Sequence, residues 1–214
     1  MTSLRDELCA GLKALNLVLS EDKIDALMAY HEAFVKWNRA YNLSAIRDPR
    51  EMIYKHLLDS LSIVSFLEKH SAKRIIDVGT GGGLPGIPLA ICFPDRHFAL
   101  LDSAGKKTRF LLQTAHALGL KNIEVLNKRV EEHQPEDRFD IVMSRAFASI
   151  GDMLQWCSHL GGDQSEFWAM KGVNPADELS GLAKHYKVEN CYPLQVPGDI
   201  GERCLVVITA GSEP

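Results

Sequence analysis

The feature that most constrains the fold is the segment IIDVGTGGGLPGIPLA at residues 75–90, which contains five glycines. It begins with a short apolar run typical of a buried strand and ends in a helix-forming run that Pro85 opens. A glycine-dense turn between a strand and a helix is typical of open parallel sheets, in which ligands bind outside the carboxyl ends of the strands. The segment therefore predicts an α/β chain with a ligand site at this turn.

Alternation of strands and helices continues from residue 73 onward. The predicted strands are KRIIDV, HFALLD, NIEVLN, FDIVMS and EFWAMK, each followed by loop and helix material. This order predicts right-handed crossovers and a mainly parallel, doubly wound sheet of the Rossmann-like class. The last two strand-like runs, KVENCYPLQV and ERCLVVITA, have only a Pro/Gly turn region between them and predict an antiparallel hairpin.

The first third of the chain has a helical pattern instead. Apolar residues recur at three- and four-residue spacing from Ile24 to Val35, as on one face of a helix. Asp48 suits the cap of a further helix, because a proline follows it at the first helical position. We therefore predict one compact unit with two portions, a helical N-terminal portion at 1–71 and an α/β core at 72–214.

Composition narrows the class of protein further. With 46% hydrophobic and 24% charged residues, the chain is typical of a soluble globular protein and not of a disordered one. Its five scattered cysteines lack zinc spacing, which favours free thiols in a reducing compartment and no metal. The apolar run at residues 86–93 is far shorter than the ~20 residues of a membrane span. Asp6 and Glu7 lie where a signal peptide would need positive charge, so we expect a cytoplasmic protein without membrane association.

The glycine turn also narrows the class of ligand. Gly79, Gly81 and Gly83 would permit backbone angles closed to other residues, and the free N–H groups of the following helix would favour an anionic group. Read from Gly79 the pattern is GxGxG, with Leu84 where a dinucleotide motif would have its third glycine. Asp102, 23 residues beyond Gly79, can accept hydrogen bonds from both ribose hydroxyls. No Walker sequence occurs, which disfavours ATP-driven phosphoryl transfer.

This arrangement resembles the S-adenosylmethionine-dependent methyltransferases, and the chain resembles one family among them. That family is the bacterial small-subunit ribosomal RNA guanine-N7 methyltransferases, also called glucose-inhibited division protein B. The resemblance covers residues 25–210 and rests on seven blocks in order: KWNRAYNLSAIRDPREM with KHLLDSL, DVGTGGGLPGIPLA, LLDSAGKKTRFL, RVEE, SRAFAS, MKG and GERCLVVI. It implies an enzyme that transfers a methyl group from S-adenosylmethionine to N7 of one guanine in 16S rRNA, position 527 in the 530 loop.

The resemblance also implies the residues that hold the cofactor, with Asp102 on the ribose and the pair after the third strand beside the adenine. These are Gly79, Gly81, Leu84, Asp102, Val130, Glu131 and Arg145. Three of them have an ordinary structural alternative: Asp102 could cap the next helix, Arg145 could pair with a surface carboxylate, and Glu131 could be a solvated helix start. Gly82 departs from the family, which more often has proline or alanine there.

No catalytic side chain is expected, because guanine N7 has an in-plane lone pair and no proton, so that positioning alone can supply most of the acceleration. A pyrimidine-C5 enzyme would need a nucleophilic cysteine, typically after a proline, and none of the five follows one. Two other functions stay open: a methyltransferase with another substrate, and a non-catalytic RNA-binding factor in ribosome assembly.

RNA contacts are expected in two basic segments, although the whole chain has a net charge of -4. Residues 36–55 hold five Lys/Arg against two Asp/Glu, and residues 105–129 hold six against one. The main candidates are Arg39, Arg47 and Lys171, with further ones at Lys36, Arg50, Lys55 and His56. Trp37 and Tyr41 could stack on bases or, alternatively, belong to the core. The expected partner is 16S rRNA or the small ribosomal subunit, and we favour a monomer.

Overall fold

A computed structural model describes residues 2–210 apart from 146, 148, 173 and 174, and it confirms the α/β architecture. Across these residues seven strands form one sheet in the order β3-β2-β1-β4-β5-β7-β6, with β1 to β5 parallel. The strands are β1 (Arg74–Val78), β2 (His97–Leu101), β3 (Ile123–Leu126), β4 (Phe139–Ser144), β5 (Gly161–Lys171), β6 (Tyr186–Pro193) and β7 (Cys204–Ala210).

The predicted C-terminal hairpin is confirmed, since β6 and β7 pair antiparallel from Tyr186 opposite Ala210 to Pro193 opposite Cys204. The last strand, β7, inserts between β5 and β6 and is antiparallel to both, so β6 has the same direction as β1 to β5. Burial explains this order. The apolar β7 is buried over its first five residues, whereas β6 is mostly exposed or half-buried and takes the edge of the sheet.

Helices cover both faces of the sheet. They are α1 (Leu4–Ala14), α2 (Glu21–Tyr41), α3 (Pro49–Met52), α4 (Asp59–Leu61), α5 (Val64–Glu68), α6 (Gly86–Cys92), α7 (Gly105–Ala117), α8 (Ile150–Cys157) and α9 (Ala176–Ser180). A π-helical turn (Ile53–Leu58) joins α3 to α4, and short 3-10 turns span Val130–Glu132 and Ser158–Leu160. Alternate residues of β1 point to the two faces: Ile75 packs in the cluster with α1 to α7, and Ile76 in the cluster with α8.

The helical N-terminal portion packs directly on the core. The predicted helix after Ser20 is α2, which buries Ile24, Leu27 and Phe34 in one hydrophobic cluster with residues of α6 and β2. The predicted cap at Asp48 is also present, since its side chain accepts a hydrogen bond from Arg50 N at 2.8 Å. Both portions therefore share one core.

Candidate active site

The glycine turn after β1 has the backbone geometry that its sequence predicts. Gly79, Gly81 and Gly83 have φ values of 69°, 61° and 87°, a region that glycine adopts without strain. The turn is held on the next strand, because the N–H groups of Gly79 and Thr80 donate to the carbonyl of Leu101 at 2.8 and 3.1 Å. Neighbouring strands thus set the position of the turn.

Asp77, the buried acid just before the turn, holds the turn in place through two hydrogen bonds. Its Oδ2 accepts hydrogen bonds from Thr80 Oγ1 at 2.7 Å and from Gly86 N at 2.9 Å. Burial raises the pKa of Asp77 to about 6, against the lowering effect of these two bonds. An anionic group was predicted at the N–H groups that begin α6. For the N–H of Gly86, that group is the carboxylate of Asp77.

Asp102 joins the ends of β1 and β2. This carboxylate is 5% exposed; its Oδ2 accepts from Gly81 N at 2.9 Å and from Lys107 Nζ at 3.4 Å, and its Oδ1 accepts from Ala104 N at 2.9 Å. The bond to Ala104 closes a local turn ahead of α7 and does not cap that helix, whose N-cap residue is Ala104 itself. A carboxylate has about four acceptor positions, so these three bonds leave room for a further donor such as a ribose hydroxyl.

A first cavity of about 310 Å³ opens at the ends of β1, β2 and β3. Four of the predicted cofactor residues, Gly79, Asp102, Val130 and Glu131, line it together. Its volume lies at the lower end of the range of small-molecule sites, about 300–1,000 Å³. The cavity thus has the size, the carboxylate and the apolar wall that a nucleoside requires.

Sequence reasoning missed Trp156, an aromatic side chain that also lines the first cavity. It lies on α8 and is 41% exposed, while Ile150, Met153, Leu154 and Cys157 of the same helix are buried. A tryptophan off the apolar stripe of a short helix was the signal that could have identified it.

The other predicted cofactor residues lie elsewhere. Gly81 holds Asp102 from within the turn. Leu84 is buried in the hydrophobic cluster below the turn. Arg145 lines a second cavity at the ends of β4 and β5, so its guanidinium lies apart from the four residues that the first cavity collects. Direct cofactor contacts of these three residues stay predictions.

The second cavity, of about 330 Å³, is built around a buried ion-pair group. Arg145 Nη1 donates to Asp59 Oδ2 at 2.7 Å, and Arg203 Nε donates to Asp59 Oδ1 at 3.1 Å. Arg145 does pair with a carboxylate, as its structural alternative proposed, but with a buried one and not with a surface acid. Lys171 lines the same cavity and pairs with Glu178 at 3.0 Å.

The π-helical turn places Lys55 and His56 at this cavity, and Asp59 follows it as the first residue of α4. Such wide turns are frequent at functional sites. His56 Nδ1 lies 2.9 Å from Lys55 O, and its Nε2 lies 2.8 Å from Ser44 Oγ. Burial and the nearby Arg145 lower the pKa of His56 to about 4, so its imidazole is neutral near pH 7. Asp59 and Arg203 fall within the KHLLDSL and GERCLVVI blocks, which is the signal that could have identified them.

Two predicted RNA contacts lie in the helical portion. Arg47 donates through Nη1 to Asn38 O at 2.8 Å and through Nη2 to Asn42 Oδ1, so its guanidinium holds the end of α2. Arg39 is exposed on α2. An RNA contact stays a prediction for both residues, and the geometry of Arg47 supports a structural role.

The aromatic pair proposed for base stacking is split between surface and core. Trp37 and Tyr41 have ring centroids 4.8 Å apart, and Trp37 also packs on Phe110 at 5.5 Å. Trp37 therefore fits the core alternative, while Tyr41 is exposed. Two of the other basic candidates are in ion pairs: Arg50 with Glu7 and Lys55 with Glu51, both at 2.9 Å.

None of the five cysteines forms a disulfide bond. Among residues 2–210 without the four undescribed positions, no group of three His, Cys, Asp or Glu side chains is arranged to hold a metal ion. In the same part of the chain, none of the helices combines the length and the apolar character that crossing a membrane takes.

Comparison with known proteins gives close relatives over nearly the whole chain. Residues 23–206 match the family model described as rRNA small subunit methyltransferase G. A protein of Saccharophagus degradans named ribosomal RNA small subunit methyltransferase G is 58% identical over 94% of this chain and 88% of its own length. An Escherichia coli protein of that name is 50% identical over 96% of this chain and 98% of its own length.

A solved structure supports the fold alone. The O-methyltransferase TomG from Streptomyces achromogenes, solved in complex with S-adenosylmethionine, has a TM-score of 0.61 and 16% identity. The match covers 95% of this chain and 96% of that one.

Proposed function

The chain belongs to the rRNA small subunit methyltransferase G family, and from this membership and its two cavities we propose that it methylates N7 of one guanine in 16S rRNA. S-adenosylmethionine is the methyl donor. By the family resemblance the target is position 527 of the 530 loop. We further propose that it acts in the cytoplasm, as a monomer, on rRNA or on the small ribosomal subunit.

The observation that carries this proposal is that two unlike cavities open at the carboxyl ends of neighbouring strands. Strands β1 and β4 are neighbours, with Ile76 opposite Val142, and the chain reverses its winding direction between them. Ligands of open α/β sheets bind at this reversal. The nucleoside-like cavity lies over β1, β2 and β3, and the basic cavity lies over β4, β5 and the start of β7.

The first cavity fits the cofactor in its chemistry as well as its volume. The unused acceptor position of Asp102 suits a ribose hydroxyl, and Val130 and Trp156 provide apolar surface for an adenine. When bound there, S-adenosylmethionine supplies a methyl group activated by a positively charged sulfur. The protein's task is then to hold donor and acceptor in line.

The titratable groups beside the second cavity suit an acceptor that needs no deprotonation. The imidazole of His56 contacts Ser44 Oγ and Lys55 O, and its pKa is lowered to about 4. Asp59 is held by two arginines. Guanine N7 carries no proton, so orientation by such fixed groups is sufficient for its attack on the methyl carbon.

The test is to map N7-methylguanosine in 16S rRNA of a deletion strain, using chemical cleavage at that base followed by reverse transcription. We expect the loss of one mark, which the intact gene and the Asp163→Ala control restore and Asp102→Ala does not. Asp163 is an exposed acid at the opposite end of the sheet. An unchanged pattern in the deletion strain would contradict the proposal. Restoration of the mark by Asp102→Ala would contradict the assigned cofactor site.

A further inference from the structure

The second cavity contains more positive charge than its carboxylate can neutralise. Arg145 and Arg203 share the single carboxylate of Asp59, and in the part of the chain that the structure describes no other acid lies within ion-pair distance of either guanidinium. Arginine stays charged at any physiological pH. The group therefore carries one uncompensated positive charge in a half-enclosed site.

The group also has donors to spare. Arg145 uses Nη1 for Asp59 and for the carbonyl of Lys55, and Arg203 uses Nε for Asp59 and Nη1 for the carbonyl of Glu202. No partner among the described residues occupies Nη2 of either arginine. Asp59 is 4% exposed, whereas each arginine side chain is 25% exposed, so the anchor is buried and the guanidiniums reach the cavity.

The uncompensated positive charge and the unoccupied Nη2 donors of the two arginines suit an anion with several oxygens. Guanidinium groups match phosphate oxygens in a fork, with short charge-assisted hydrogen bonds. The same cavity has apolar wall from Ile46, Met170 and Leu194, against which a base can pack. Phosphate and base together describe a nucleotide.

We propose that Arg203 binds a phosphate of the substrate nucleotide, beside Arg145, for which the resemblance implies a cofactor contact, and that Asp59 is the positioning residue that holds both guanidiniums. This inference rests on the proposed function for the identity of the nucleotide as part of an RNA. The phosphate site itself follows from the charges and donors alone. The competing anion is the carboxylate of the cofactor's amino-acid part, which the experiment separates from a phosphate.

Direct binding tests the site without any need for catalysis. Guanosine 5′-monophosphate and guanosine are titrated by NMR into the full chain saturated with S-adenosylhomocysteine. We expect the monophosphate to bind at least tenfold tighter in the wild type. Arg203→Ala should abolish this difference, and Arg203→Lys should keep part of it. Arg138→Ala removes an exposed arginine that precedes β4 at the opposite ends of the strands, and it should leave the difference intact.

Asp59→Asn separates positioning from mere structural support. The amide keeps the shape of the carboxylate but releases both guanidiniums, so we expect the monophosphate to lose most of its advantage over guanosine although the cavity becomes more positive. Methylation of unmodified small subunits should fall at least tenfold in kcat/KM. An unchanged advantage of the monophosphate in Asp59→Asn would overturn the positioning role.

Two results would overturn the phosphate site. One is equal affinity of the wild type for guanosine and its monophosphate. The other is weaker binding of S-adenosylhomocysteine to Arg203→Ala while 5′-methylthioadenosine, which lacks the amino-acid part, binds normally. If the binding tests support the phosphate site but the wild-type enzyme methylates no rRNA, the proposed function is contradicted and the phosphate site is retained.

Discussion

Substitution of Asp102 by asparagine tests the cofactor site with the smallest change of shape. The carboxylate accepts hydrogen bonds from the backbone N–H groups of Gly81 and Ala104, one on each oxygen, both at 2.9 Å. An amide has only one acceptor oxygen, so its NH₂ group must face one of these two donors. The substitution thus removes the charge and places two donors against each other at the edge of the first cavity.

The magnitude follows from the bonds that are lost. A hydrogen bond to a charged group contributes about 1.5–3 kcal/mol, and a buried donor left without a partner costs about 1–3 kcal/mol. Loss of one such bond to a ribose hydroxyl would raise the Kd of S-adenosylhomocysteine, the product that the cofactor leaves, about 10- to 150-fold. We also expect the free energy of unfolding to fall by about 1–3 kcal/mol, because one backbone N–H loses its acceptor.

Isothermal titration of S-adenosylhomocysteine measures the first effect, and urea unfolding measures the second. Glu132→Gln is the matched control, since it makes the same chemical change at an exposed acid on the adjoining 3-10 turn. Its Kd should stay within twofold of the wild type. If Asp102→Asn bound the product within threefold of the wild type, Asp102 would be only a structural clamp on the turn.

Three further predictions concern packing, pH and the cavity wall. Gly82→Ala should lower the free energy of unfolding in urea by about 1–3 kcal/mol, because the new Cβ would lie 2.2 Å from Phe34 Cε2, and a second change, Phe34→Leu, should recover part of that loss. Burial lowers the pKa of His31 to about 4, so between pH 6.5 and 4 the unfolded chain takes up a proton that the folded chain refuses, and stability is lost as the pH falls. His31→Leu should therefore flatten the loss of urea stability from pH 7 to 4.5 by up to about 3 kcal/mol, and an unchanged slope would exclude His31 as its source. Trp156→Ala should weaken S-adenosylhomocysteine binding about tenfold, because the indole lines the first cavity and aromatic stacking on a base contributes about 1–3 kcal/mol. Titration calorimetry measures this Kd. An unaltered Kd would show that the indole does not pack on the adenine.

The acid response also contains an opposite contribution. The pKa of Asp77 is raised to about 6, so between about pH 4 and 6 the folded chain keeps a proton that the unfolded chain releases. This contribution increases stability as the pH falls, whereas His31 and His56, both with a pKa of about 4, decrease it. Of these three groups, the two histidines outweigh the carboxyl, so their combined contribution is a loss of stability in acid.

The sequence was most informative where local chemistry alone dictates structure. Positive φ angles at the turn follow from its glycines, and the place of Asp102 at the end of β2 follows from the strand pattern. By contrast, the π-helical turn and the insertion of β7 depend on packing between distant segments. No periodicity in residues 53–58 indicates the wide turn, and Arg145 faces the second cavity because a buried acid 86 residues away attracts it.

The second cavity shows why the change of pattern near residue 72 does not divide the protein functionally. His56 and Asp59 come from the helical portion, while Arg145, Lys171 and Arg203 come from the α/β core. Without Asp59 the two arginines would face each other in a half-buried site with no carboxylate between them, which is strongly unfavourable. The helical portion therefore supplies the anion that makes the basic cavity possible.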